Sequence, residues 1–187
     1  MILVITLHIF FCFLERKSRK KLSGITGLLL SVSWLYTIET PPLLTEIFTK
    51  LIYSFVLGFL LINIYYLLAN TLAGHKPKII NGNLKINLTL NHILIILLEE
   101  FIWRGAIPYY IFCKFDLNYF FIILTLIIIN IVFTALHGIH NIFQFIEMVL
   151  FFSIVAFIGY YDSIVCSIGM HLARNYFISV LNKTIYL

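Results

Sequence analysis

Apolar stretches broken by short polar segments fill nearly the whole of this 187-residue chain. They fall at about 2–14, 23–40, 46–73, 90–114, 117–137, 141–160 and 163–182. Hydrophobic residues make up 61% of the chain and charged ones only 11%. No soluble domain of this size carries such a balance. The expected fold is therefore all-α, a polytopic membrane bundle of about seven (six to eight) transmembrane helices. Residues 1–187 read as one integral membrane domain, with no room for a separate soluble one.

Charge sets the orientation. Arg16, Lys17, Arg19, Lys20 and Lys21 follow the first stretch, Lys76, Lys78 and Lys85 occupy the longest polar loop, and Lys183 is near the C-terminus. The alternate loops hold Lys50, Lys114, Glu39, Glu46, Asp116 and Asp162. The positive-inside rule then puts the N-terminus outside and the C-terminus in the cytoplasm. The basic run comes after the first apolar stretch, the reverse of a secretory signal peptide. The net charge of +5 makes no case for nucleic acid, because most basic residues sit in short loops. The lipid bilayer is the partner that composition implies. Abundant Ile, Asn, Lys and Phe point to a bacterial chain, and so to an inner (cytoplasmic) membrane. Cys12, Cys113 and Cys166 show no paired or metal-type spacing and read as small hydrophobes.

Within the fourth stretch the run Leu98-Glu99-Glu100-Phe101-Ile102-Trp103-Arg104 breaks the pattern. A charge at the bilayer centre costs roughly 2.5–3.5 kcal/mol on insertion scales, so such a cluster marks a protein interior or a water-filled cavity. On a helix Glu100 and Arg104 are four apart and share a face. Glu99 is rotated about 100° away, level with Trp103. Arg104 can neutralise Glu100 and leave Glu99 available as a base. An ion pair that only fixes helix packing accounts for Glu100 and Arg104 but not for Glu99.

Two further polar clusters follow, His137 with His140 and His171 with Asn175. His137 comes one helical turn after Phe133 and, taken alone, reads as readily as an interfacial histidine. His140 in the next turn is more exposed and reads as bland. His171 and Asn175 are four apart on the last helix, where both can donate to one oxygen. That geometry suits an oxyanion hole, whose donors are each worth about 10²–10³ in rate. Interhelical hydrogen bonds, worth roughly 0.6 kcal/mol each in membranes, are the alternative. A carboxylate base, a histidine and a two-donor pair are together what peptide-bond hydrolysis requires.

The order E-E-x-x-x-R (Glu99 to Arg104), F-x-x-x-H (Phe133 to His137) and H-x-x-x-N (His171 to Asn175) resembles the CPBP family of intramembrane proteases. That family groups type II CAAX prenyl endopeptidases with proteins of bacteriocin processing and self-immunity. The resemblance covers roughly residues 90–180, and residues 1–74 match only as accessory membrane spans. It implies a glutamic-type endopeptidase acting on a peptide or protein with an apolar or membrane-anchored segment. Glu99 would be the base, His137 would help hold the water, and His171 with Asn175 would form the oxyanion hole. Glu100 and Arg104 would support the site. No cofactor is implied. Glu99, His137 and His171 are also the ligand types of a three-ligand zinc site, although no H-E-x-x-H pair is present. A membrane protein that binds a partner or confers immunity without cleavage is the other alternative. Glu147 reads as an unpaired acid in the sixth stretch, outside the motifs.

Overall fold

The computed structural model describes residues 2–17, 23–35, 37, 43–72, 90–115, 117–137 and 142–185. Among them there is no strand. The elements are α1 (Ile2–Lys17), α2 (Ser23–Leu35), α3 (Leu44–Leu72), α4 (Leu90–Glu100), a π-helical segment (Phe101–Ala106), α5 (Ile107–Lys114), α6 (Tyr119–Leu136), α7 (Ile142–Tyr161) and α8 (Ile164–Ile185). Glu100, Ala106 and Ile107 all keep helical backbone angles, so α4, the π segment and α5 run on as one rod. With that rod counted as one, the described residues form seven helices, in keeping with the all-α bundle expected. Leu44–Leu68 of α3, all of α6 and all of α7 are long and apolar enough to cross a bilayer. This is an integral membrane protein.

Two local departures from the expected stretches have physical causes. The second helix ends at Leu35 rather than near residue 40, where the Thr37 N–H donates to the Trp34 carbonyl at 2.8 Å. The Thr40-Pro41-Pro42 break, the loop at 73–89 and His140 lie outside the described residues. The fourth helix is not α throughout: the Ile107 N–H reaches back five residues to the Ile102 carbonyl. Pro108 follows directly. Its ring has no N–H to give and would crowd the carbonyl four residues earlier, so the wider π register relieves the ladder just before it.

Large apolar side chains are exposed while a set of charged and polar ones is buried within the apolar core. Phe120, Ile128, Phe143 and Leu150 are exposed, while Glu100, Arg104, Asn130, Glu147, His171 and Arg174 are buried. Lipid favours that inversion, because apolar side chains lose nothing facing acyl chains and charges lose a great deal. Close backbone approach holds α3 along α8. A Cβ on Gly58 would stand 2.7 Å from Met170 Cα, so the crossing needs the small residue. α6, α7 and α8 pack in succession, and the π segment lies against α2, α7 and α8. Asn118 starts α6 by accepting from the Phe121 N–H at 3.1 Å, a standard N-cap.

Candidate active site

The π segment begins where two glutamates have just been presented to different neighbours. Glu100 faces the interior, its side chain 0% exposed. Arg104 Nη1 approaches its Oε1 at 3.1 Å, and His171 Nδ1 donates to the same oxygen at 2.7 Å. The Arg104 contact is an ion contact rather than an aligned hydrogen bond, since Nη1 has no hydrogen-bond acceptor among the described residues. Arg104 Nη2 donates instead to Asn130 Oδ1 at 3.0 Å, and Asn130 Nδ2 donates to the Leu126 carbonyl at 2.7 Å. The guanidinium carbon lies over two rings, 4.1 Å from the centre of Phe133 and 4.6 Å from that of Phe152. Such placement stabilises a desolvated cation.

Glu99 faces a cavity of about 300 Å³ that it lines together with His137, Phe133, Trp103 and residues of α1 and α2. Its side chain is 26% exposed. Oε1 stands 3.6 Å from His137 Nε2, and Oε2 stands 3.8 Å from His171 Nε2. Both gaps are too long for direct hydrogen bonds and leave room for a shared water.

The hydrogen bonds on the far side of each imidazole set its chemistry. His137 Nδ1 donates to the Phe133 carbonyl at 2.8 Å, because a carbonyl can only accept. The neutral ring then offers a lone pair at Nε2, toward Glu99. His171 spends its Nδ1–H on Glu100 in the same manner. As a neutral ring it too has a lone pair at Nε2, and only the imidazolium donates from that atom. Its edge packs on Phe152, ring centres 4.8 Å apart.

The structure therefore brings together Glu99, Glu100, Arg104, His137 and His171. Asn175 is one turn along α8 and half-buried. Glu147, which in sequence reads as unpaired, is not: Arg174 Nε and Nη2 hold its two oxygens at 3.0 and 2.7 Å. Sequence reasoning missed Asn130, Arg174 and Phe152. Asn130 was legible in principle, being a lone amide among isoleucines mid-helix, which the same rule that singled out Glu99 covers. Phe152 carried no signal: its role comes from the Arg104 and Arg174 guanidinium carbons, 4.6 and 5.2 Å from its ring centre.

Glu99, His137 and His171 are also ligand types for a divalent metal. Among the described residues no group of three His, Cys, Asp or Glu side chains has metal-holding geometry. A family model described as type II CAAX prenyl endopeptidase Rce1-like matches residues 81–177, more than half of the chain. The match spans all three motifs, from Glu99 to Asn175. No curated protein and no solved structure matches the chain.

Proposed function

The chain belongs to the type II CAAX prenyl endopeptidase Rce1-like family, and on that premise we propose that it is an intramembrane endopeptidase in which Glu99 activates water. One observation carries the mechanism: each oxygen of the cavity-facing Glu99 carboxylate looks toward the Nε2 of a different histidine, at 3.6 and 3.8 Å. A water seated between Glu99 and His137 gives one hydrogen to the carboxylate and the other to the Nε2 lone pair. Its own lone pair is then free for a carbonyl carbon. Glu99 takes the proton as the C–O bond forms and returns it to the leaving amine as the C–N bond breaks.

Developing charge on the carbonyl oxygen falls to the α8 donors. The Asn175 carboxamide and the imidazolium form of His171 are the groups on that face able to give a hydrogen bond. Glu100 holds His171 in orientation, and Arg104 balances Glu100. The substrate class this supports is a peptide or protein with an apolar or membrane-anchored segment, such as a peptide precursor, a bacteriocin leader or a C-terminal tail. Glu99 lies ten residues into its helical rod, roughly 15 Å along the axis, so a substrate must reach it among apolar helices. The charge pattern supports an N-terminus outside and the C-terminus in the cytoplasm.

The test is cleavage of a lipid-anchored peptide in vesicles by wild type and by Glu99→Gln at matched membrane levels. Wild type cleaves and the variant does not. Normal cleavage by the variant would make Glu99 structural and sink the mechanism. Adding 1,10-phenanthroline decides the zinc alternative, since undiminished cleavage is expected and metal-restorable loss would favour a metalloprotease.

A further inference from the structure

The wall opposite Glu99 and His137 belongs to neither their helices nor the matched family region. His8, Cys12, Ser23 and Gly24 supply it, from the middle of α1 and the start of α2. These helices lie outside residues 81–177.

The hairpin is built as a fixed surface. A Cβ on Gly27 would meet Ile102 Cδ1 at 2.6 Å and His8 Cε1 at 3.1 Å, so α2 is seated directly on the π segment and on α1. Thr26 gives its single hydroxyl hydrogen to the Ser23 carbonyl at 3.0 Å. Its oxygen therefore accepts from His8 Nδ1, also at 3.0 Å. The buried His8 ring is locked in the tautomer whose Nε2 faces Cys12 Sγ at 3.6 Å, and it packs against Trp103 with ring centres 5.9 Å apart. Gly24 differs from Gly27: among the described residues a Cβ there meets nothing within 4 Å. It lines the cavity and leaves space that any larger side chain would take.

We propose that the α1–α2 hairpin is the specificity wall of this protease site, with Gly24 and Cys12 setting the size of the substrate residue accepted beside the scissile bond. The proposal rests on the protease reading and goes beyond it. The cavity of about 300 Å³ has Glu99 as its one carboxylate and neither Lys nor Arg among its described lining residues. Gly24 leaves room there for a bulky substrate residue.

The experiment uses the full chain in vesicles and a palmitoylated, internally quenched peptide set whose central residues run from Gly to Trp. Gly24→Phe is expected to lower cleavage of bulky members relative to small ones by about tenfold or more, the scale of steric discrimination in apolar pockets. Cys12→Ala is expected to move the ratio the other way. A ratio within one preparation is indifferent to the fraction folded. If wild type cleaves and both variants keep its ratio, the specificity wall is overturned and the protease reading stands.

If wild type cleaves no peptide, the protease reading fails, and a second measurement decides the wall. In a Cys113→Ser background, N-ethylmaleimide alkylation of Cys12 is followed by mass spectrometry with and without the same peptides, in wild type and Glu99→Gln. Slower alkylation with peptide present supports the hairpin as the contact surface. An unchanged rate overturns it.

Discussion

Glu99 and Glu100 are adjacent in the chain, yet the bundle treats them as parts of two different machines. Glu100 belongs to a closed ionic interior in which His171 and Arg104 both hold its Oε1, with Asn130 behind Arg104. Glu99 belongs to an open cavity where its nearest polar partners stand back at 3.6 and 3.8 Å. A group fixed by short contacts supports its neighbours, whereas one held at a distance from its partners has room for reactants. The difference also shows why the interior is expensive to disturb. Removing one partner of a buried ion pair leaves the other charge desolvated and unpaired.

The comparison predicts a double dissociation. Glu99→Gln is expected to lower cleavage by about 10²–10⁴-fold, the usual weight of a general base, with the unfolding midpoint in detergent unmoved. Glu100→Gln is expected to lower the midpoint itself, and equal midpoints for both variants would break the distinction. Next in size are the stranded charges. Arg104→Met, leaving Glu100 with His171 but without its cation, and Arg174→Met, taking the cation from Glu147, should each destabilise by about 3–5 kcal/mol in denaturant titrations. Adding Glu147→Leu to Arg174→Met should recover most of that loss, because a buried pair replaced as a unit leaves no orphan. A double variant as weak as the single one would show that the pair is not energetically closed.

Asn130→Leu is a finer probe. It takes the acceptor from Arg104 Nη2, and leaving one buried donor unpaired is worth about 1–3 kcal/mol. In cleavage assays it should lower kcat with KM little changed, since it acts through Arg104, Glu100 and His171 rather than on substrate. Smallest of all is the far end of the bundle, where Lys50 bridges Glu46 at 3.2 Å and Asp162 at 2.8 Å, all partly exposed. Lys50→Met should change stability by less than about 1 kcal/mol. The Lys50 ammonium, and then the Cys166 thiol, hold the Asp162 carboxyl below its ordinary value. Any stability from this contact is therefore present above the ordinary carboxylate range and is lost as pH falls through the lower value. Acid titration of wild type against Lys50→Met checks the sign.

Much of the site was legible one helix at a time. The period of the α-helix puts Arg104 on the face of Glu100 and turns Glu99 away, and the ion contact and the cavity exposure both follow that rule. The same reasoning stops at the helix surface. It put His171 and Asn175 on one face, but it could not say that His171 would be bonded to Glu100, 71 residues away. It left Glu147 without its Arg174, because a partner 27 residues distant on another helix has no periodic signature.

The sequence by itself determined that this protein is a helical membrane bundle with three polar clusters in the second half of the chain. Low charge excludes water as the main solvent, lipid forces charges inward, and a fixed helical period decides which neighbours share a face. Tertiary structure alone decided which helix each of those groups meets. It closed Glu100 into the interior, set two imidazoles toward Glu99, and brought the α1–α2 hairpin to the far wall of the cavity. Those outcomes depend on how helices rotate and approach one another, which is fixed by side-chain packing between segments distant in the chain.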